Sequence, residues 1–472
     1  MRRALVAIVL LSLAAAACSA PAGEGSTTIL GSPTGEDNPG GVVSGIASTF
    51  DPASVRFVAA LQRFDTCDAL LSYFKTEALA RVGPYGLGGG PVYYWMDGVR
   101  PAVGMETDGA EAPAGEVPAT VPVTTMANGS TGYSGTNVQV AGVDEPDTIK
   151  TDGARILTIM NGTLYYVVVE GAGGRLAGSL PLGEGWDHRF FMSGDRALVF
   201  SQANSDIVPL LESADRIMPN WSGPVTLVQE VDLSDPADMR VVRTMRIEGS
   251  YLSARAIDGT VRLVISSYPS DLPFVYPSGP AAEELALATN KTVIEQSTLE
   301  DWLPSYTLFA GEEVMEQGLV ADCAQTHRPA EFAGFNTLSV ATFSLEASLD
   351  PSAAAASAVI ADGETVYAST ERLYVATNVW VPPELIGDAR LNTLEEEYST
   401  AIHAFDITGD GAARYLASGS VDGHLLNQFS MDEYEEHLRV ATTDGSPWSA
   451  TDASKSAVSV LAVEGERLVE VG

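Results

Sequence analysis

From about residue 136 onward, short runs of Val, Ile, Leu, Tyr and Phe alternate with polar residues. Gly-Asp or Asp-Gly pairs separate many of the runs, and the runs recur in a fixed order. These three observations predict an all-β fold of repeated four-stranded sheets. A single such sheet has two solvated faces, and stacking the sheets radially buries both. The expected architecture is therefore a β-propeller over residues 136–472, with up to five recognisable blades and a small helical segment before it.

The chain opens on a short basic stretch, Met1-Arg2-Arg3, followed by apolar residues from Ala4 to Ala17. That stretch is too short to span a bilayer and reads as a signal peptide over residues 1–17. Small residues lead directly into Cys18, the pattern of a bacterial lipoprotein signal, although Ala15 stands where Leu is usual. The expectation is an exported chain, lipid-anchored through Cys18 at the outer face of the cytoplasmic membrane or the cell surface. Residues 18–50 are rich in Gly, Ser, Thr and Pro and read as a flexible tether. Asp51-Pro52 can start a helix. Residues 51–82 then carry two helically spaced apolar sets, Val55, Phe57, Val58, Leu61 and Phe64, and Cys67, Leu70, Leu71, Phe74 and Leu79. Residues 83–135 return to Gly, Pro and Thr and read as a linker.

Within the β region, strongly apolar strands follow the turns: residues 155–160, 196–201, 261–266, 372–377 and 438–442. Residues 227–233, 338–345 and 402–407 read as a further strand of their units. Four units begin near residues 186, 250, 353 and 421, and the long third step contains an insertion at about 269–335 that carries Cys323. The repeat is looser than the roughly 40–45 residues of WD repeats and lacks their Gly-His and Trp-Asp dipeptides.

Charge narrows the function. With 26 Lys+Arg against 62 Asp+Glu, the net charge is −36. Such a surface repels phosphate backbones and anionic headgroups, which argues against nucleic acid as a partner and against any membrane contact other than the lipid on Cys18. Cys67 and Cys323 are the even remainder after Cys18, and in an exported protein they predict a disulfide. Closing so long a loop is worth about 5 kcal/mol in chain-entropy terms. The alternative is two separate buried thiols.

Asp144, Glu145, Asp147 and Asp152 form an acidic cluster with the oxygen ligands Ca²⁺ would need, although not at EF-hand spacing. They are the candidate metal residues, weighed against acids that merely shape a turn. Ser72 and Lys75 fit Ser-x-x-Lys without the partner motifs of penicillin-recognising enzymes and read as an outer helix face. The five histidines, His188, His327, His403, His424 and His437, are scattered, and only His424 and His437 flank one proposed turn. There is no Gly-x-Ser-x-Gly, His-Glu-x-x-His or phosphate loop, so no catalytic residue is assigned.

Two long segments, Tyr133 to Gly153 and Gly423 to Thr443, resemble the hallmarks of a family of secreted prokaryotic β-propeller proteins distantly related to WD repeats. The stretch from Cys67 to Lys75 is similar to that family's N-terminal element, and the likeness covers about residues 55–472. The resemblance implies the propeller and leaves the activity open, since none is established for the family. Members run on past the second hallmark, so the expectation is that further C-terminal sequence completes the ring. The expected role is a cell-surface binding or scaffold protein for a protein or glycan. The alternative is an extracellular, hydrolase-like enzyme with an acidic, Ca²⁺-dependent funnel site.

Overall fold

A computed structural model describes residues 61–87, 138–171, 173–204, 223–270, 272–329, 332–350, 356–378, 399–444 and 455–472. Cys18, the tether, residues 51–60 of the helical segment and residues 88–137 lie outside the described residues.

The short strand β1 (Gln62–Arg63) precedes helix α1 (Cys67–Arg81), whose N-terminus is capped by the Thr66 hydroxyl. The first blade is β2 (Ile149–Thr151), β3 (Arg155–Met160), β4 (Thr163–Glu170) and β5 (Gly173–Pro181). The second is β6 (Trp186–Ser193), β7 (Arg196–Asn204), β8 (Pro224–Asp232) and β9 (Arg240–Glu248). The third begins with β10 (Ser250–Ile257) and β11 (Thr260–Ser267). After α2 (Glu283–Gln296), β12 (Ser305–Ala310), β13 (Glu313–Leu319) and β14 (Thr326–Arg328), it finishes with β15 (Thr337–Ser344) and β16 (Ser357–Ile360). The fourth is β17 (Thr365–Ala368), β18 (Arg372–Asn378), β19 (Ser399–Asp406) and β20 (Arg414–Asp422). The fifth is β21 (Met431–Tyr434), β22 (His437–Asp444), β23 (Lys455–Glu464) and β24 (Arg467–Glu470). Each blade is an antiparallel meander, so the fold is a β-propeller, and the five apolar runs after the turns are its five second strands.

Two sequence expectations change. Residues 357–360 do not open a new unit. They pair with β15 as the outer strand of the third blade, and the fourth starts at Thr365. The stretch 269–335 is the expected insertion, between the paired strands β11 and β15, but it does not stand apart from the sheets. The β12–β13 hairpin extends the second blade through β9, and β14 extends the third through β16, with β1 added beyond it. The disulfide forms between Cys67 and Cys323, with Cα atoms 5.2 Å apart, and ties α1 to this added layer. Phe74 stacks on Trp302 at 5.1 Å, and Leu70, Ile294 and Phe335 fill the same small core.

A separate apolar core lies between each successive pair of blades. Leu157, Leu164, Phe190 and Val199 fill the first junction, and Phe191, Phe200, Val228 and Leu263 the second. Val264, Leu338, Val375 and Phe405 fill the third, and Tyr374, Ile402, Leu438 and Leu461 the fourth. Middle strands such as β8, β11 and β15 are buried on both faces, which is why their sequences read as continuous apolar runs. Gly249 alone joins the second blade to the third. Its φ is 118°, and a Cβ there would meet Ser267 Oγ at 2.5 Å.

In such meanders the first–second and third–fourth turns lie at one end of the blades. The second–third connections and the links between blades lie at the other. At the turn end, an arginine from the second strand of one blade grips the next. Arg155 donates to Gly194 O and to Asp195 at 3.1 Å. Arg196 donates to Ser344 O at 3.1 Å. Arg262 donates to Ile407 O at 3.2 Å, Gly409 O at 2.8 Å and Gly411 O. Arg372 reaches Glu433 at 2.7 Å and Glu436 O at 3.2 Å. This last contact holds a turn in which Glu435 and Glu436 both have positive φ, a conformation that favours Asn and Gly. The fifth-blade counterpart, Arg439, pairs with Asp432 of its own blade.

Arg262 is 2% exposed, and burial lowers its pKa to about 10, against the pull of Asp406 and Asp410. It remains charged at neutral pH. Arg262→Met should orphan the three carbonyls and cost about 2–4 kcal/mol. Urea unfolding would read this as a lower midpoint at unchanged slope.

Candidate functional site

The segment 138–147 crosses the inner edges of the blades before entering the first one. Gln139 Nε2 donates to Gln428 O at 3.2 Å and to Met431 O at 3.1 Å, at the start of the fifth blade. Val140 packs into the cores on both sides of the fourth. Asp144 exchanges both backbone hydrogen bonds with Ala256 on β10, and Asp147 exchanges both with Phe190 on β6. Short as it is, the segment touches all the blades in descending order.

Arg255 on β10 is the centre of this arrangement. It is 3% exposed and lies 3.5 Å from Glu145. It donates to Gln428 Oε1 at 2.8 Å, Ser253 Oγ at 2.5 Å and Ala254 O at 2.8 Å, with Val366 O at 3.4 Å. One guanidinium thus joins the entry segment to the third, fourth and fifth blades. Burial lowers its pKa and the Glu145 carboxylate opposes that shift. Beside it, the buried Lys150 ammonium lies 2.6 Å from Asp144 and 5.4 Å from the centre of the Phe191 ring.

The four acids proposed as metal residues are not brought together. Asp144 pairs with Lys150, and Glu145 with Arg255. Asp147 accepts from the Thr148 amide at 2.6 Å. Asp152 sits at the turn end. Burial would raise its pKa, but the Ala154 and Arg155 amides and the Arg155 guanidinium hold its carboxyl below the usual range. Among the described residues no three His, Cys, Asp or Glu side chains are placed to hold a metal ion.

The other candidates are also separated. Lys75 Nζ donates to Glu295 O at 2.8 Å, toward α2. His424 exchanges backbone hydrogen bonds with Thr443 at the loop end, whereas His437 sits at the turn end with Nδ1 2.7 Å from Glu435 O. His403 is buried, its Nδ1 lies 2.6 Å from Ser418 Oγ, and burial lowers its pKa to about 4. His188 and His327 are buried in different blades, and burial lowers both.

Two loop-end features lie outside the site residues that the sequence suggests. The first is Asp362, on the link between the third and fourth blades. It is 6% exposed and accepts from Asn336 Nδ2. Burial, with Glu364 adding repulsion, raises its pKa to about 7 against the Asn336 hydrogen bond. The second is the link 423–430. Its backbone is held by the His424–Thr443 pair, by Asn427, whose Oδ1 accepts from Phe429 N at 3.0 Å, and by Gln428 in the Arg255 cluster. From this fixed loop Leu426 is 85% exposed and Phe429 70%.

Arg255→Met should destabilise the chain by about 1–3 kcal/mol, because Gln428 and the Val366 carbonyl lose their donor and the half-buried Glu145 loses its cation. Amide exchange at Asp144 and Ala256 should accelerate with it. Burial pushes Asp362 up to about 7 in the folded chain, against about 4 for an ordinary aspartate. The folded state therefore holds that proton more tightly. The resulting stability is complete below about pH 4 and is lost as pH rises through 7. Relative to Asp362→Asn, the native chain should lose up to about 4 kcal/mol across that window, measured by urea unfolding at pH 4.5 and 7.5.

A family model described as a beta propeller domain matches residues 133–472. An uncharacterized protein of Methanocaldococcus jannaschii is 24% identical over 370 residues, 70% of this chain and 52% of that protein. An uncharacterized protein of Archaeoglobus fulgidus is 24% identical over 441 residues, 85% of this chain and 65% of that protein. The chain thus spans between about half and two thirds of the length of these relatives. Among solved structures, a B. megaterium levansucrase variant aligns with a TM-score of 0.23 at 9% identity, covering 70% of this chain and 85% of that one. A Synechocystis apocarotenoid oxygenase variant aligns with a TM-score of 0.24 at 8% identity, covering 68% of this chain and 58% of that one. Alignments this loose bear on neither fold nor function. The match over residues 133–472, together with the five stacked meanders, places the chain in the beta propeller domain family.

Proposed function

We propose that the chain is an exported β-propeller, lipid-anchored through Cys18, that binds a protein or glycan at the cell surface with the loop end of its blades. The observation that carries this reading is the link 423–430. Large apolar side chains exposed on a strongly acidic protein, on a backbone already fixed by hydrogen bonds, are suited to anchoring a partner. Little ordering entropy remains to be lost when such a loop binds. The topology supports the same end of the molecule. The turn end is occupied by tight turns and arginine contacts, whereas the long connections 205–223, 268–336, 379–398 and 445–454 all leave from the loop end. The signal-like start and Cys18 support the address.

The test is crosslinking of the chain in its own cell envelope, beside Leu426→Ser/Phe429→Ser. The expected result is a specific crosslinked partner whose affinity falls at least about 30-fold in the double variant. The thermal midpoint should be unchanged. No specific partner, or equal capture by both chains, would sink the reading. Metabolic labelling with palmitate, lost in Cys18→Ser, checks the anchor separately.

A further inference from the structure

Four apolar cores join the five blades in series, and among the described residues none joins the fifth blade to the first. Those cores follow a rule. After the arginine of each second strand, the first and third residues face the preceding blade, and the second faces the next. Ala197 and Val199 lie in the core toward the first blade, Leu263 and Ile265 in that toward the second, and Leu373 and Val375 in that toward the third. Leu198, Val264 and Tyr374 lie in the cores on the opposite sides. By the same rule Ile156 and Thr158 of the first blade face a side with no blade against it. Their cross-strand neighbours share that face: Ile149 and Tyr165 flank Thr158, Val167 lies opposite Ile156, and Leu176 lies opposite Val167. Ile149 is 50% exposed and Leu176 58%. In the fifth blade the second residue after Arg439 is Ala441. Val458 lies opposite it and is 65% exposed, with Val460 and Val469 on the same face. Arg439 stands at this flank, half-exposed and paired with Asp432, where the other four second-strand arginines reach across to the next blade.

From this geometry we propose that the two free flanks are the two halves of one interface, in which the fifth blade of one copy packs on the first blade of a second copy. The contact continues one that the chain already makes four times within itself. The first blade offers the side that receives a preceding blade, and the fifth offers the side that receives a following one. A second copy is the occupant because it brings both matching flanks already folded. Arg439 then takes up the role of Arg155, Arg196, Arg262 and Arg372 and reaches the turn end of the docked blade. The contact is head-to-tail, so repeating it closes a ring or extends a chain of copies. Burial of the apolar flanks drives it. Repulsion between two strongly acidic copies opposes it and fades as salt screens the charges. The contact does not rest on the partner proposed for the link 423–430.

Analytical ultracentrifugation of the purified chain, beside Leu176→Glu on the first flank and Val458→Glu on the fifth, tests the proposal. The parent chain should self-associate, and each variant should associate at least about 30-fold more weakly. Both side chains are exposed in a single copy, so the thermal midpoint of the dilute chain should be unchanged in either variant. An equimolar mixture of the two variants should recover a heterodimer, because the intact fifth blade of one meets the intact first blade of the other. Association should tighten between about 0.05 and about 0.5 M NaCl. A parent chain that is monomeric at about 100 μM would overturn the second copy as occupant and leave further C-terminal sequence to cover the flanks. Equal association of parent and variants would overturn the flanks as the interface. A variant mixture that stays monomeric while the parent associates would overturn the pairing of fifth blade with first. Association that weakens with salt would overturn an apolar contact.

Discussion

The fold depends on one buried cation. Arg255 is fixed on an inner strand of the third blade and draws in Glu145 from the entry segment, Gln428 from the fifth blade and a backbone carbonyl from the fourth. A desolvated guanidinium is costly unless nearly all its donors are satisfied, so those groups have little freedom to move apart. The two long motifs in the sequence meet there. Glu145 belongs to the first and Gln428 to the second, and Gln139 adds direct hydrogen bonds between them. What reads along the chain as two distant signatures is, in space, a single clasp.

Around that clasp the work of each surface is divided. Apolar cores between successive blades hold the sheets together without direction. The second-strand arginines at the turn end then set how each blade sits on the next, because carbonyl and carboxylate acceptors admit a guanidinium only at defined positions. With one end committed to these contacts, the other carries the long connections. Rigid scaffolds generally place function on such loops. The exposed Leu426 and Phe429 stand on the same link as Gln428, which Arg255 holds, so the clasp and these apolar side chains share a loop.

The acidic composition looks different once partners are known. Asp144, Glu145 and Asp152 face Lys150, Arg255 and Arg155 respectively. Lys150, Arg155 and Arg255 are themselves buried, whereas Arg175, Arg240 and Arg414 pair with acids at the surface.

Strand content, the tight turns at 152–153, 194–195 and 258–259, the second strand of every blade and the Cys67–Cys323 pairing were legible in the sequence, whereas Asp362-Gly363, an Asp-Gly pair like them, lies on the link between the third and fourth blades. Alternation, Asp-Gly chemistry and the parity of the cysteines act over a few residues or need only counting. The ownership of 357–360 and the destination of 269–335 were not legible, because a strand's pattern does not say which sheet edge it joins. Nor were the contacts of Arg255, Arg262 and Asp362. Arg255 and Gln428 are 173 residues apart, and Arg262 and Gly411 149. The burial that raises the Asp362 pKa exists only once two blades close over its link. Local periodicity determined the pieces, and the stacking of the blades decided which charges were taken out of water and what they faced there.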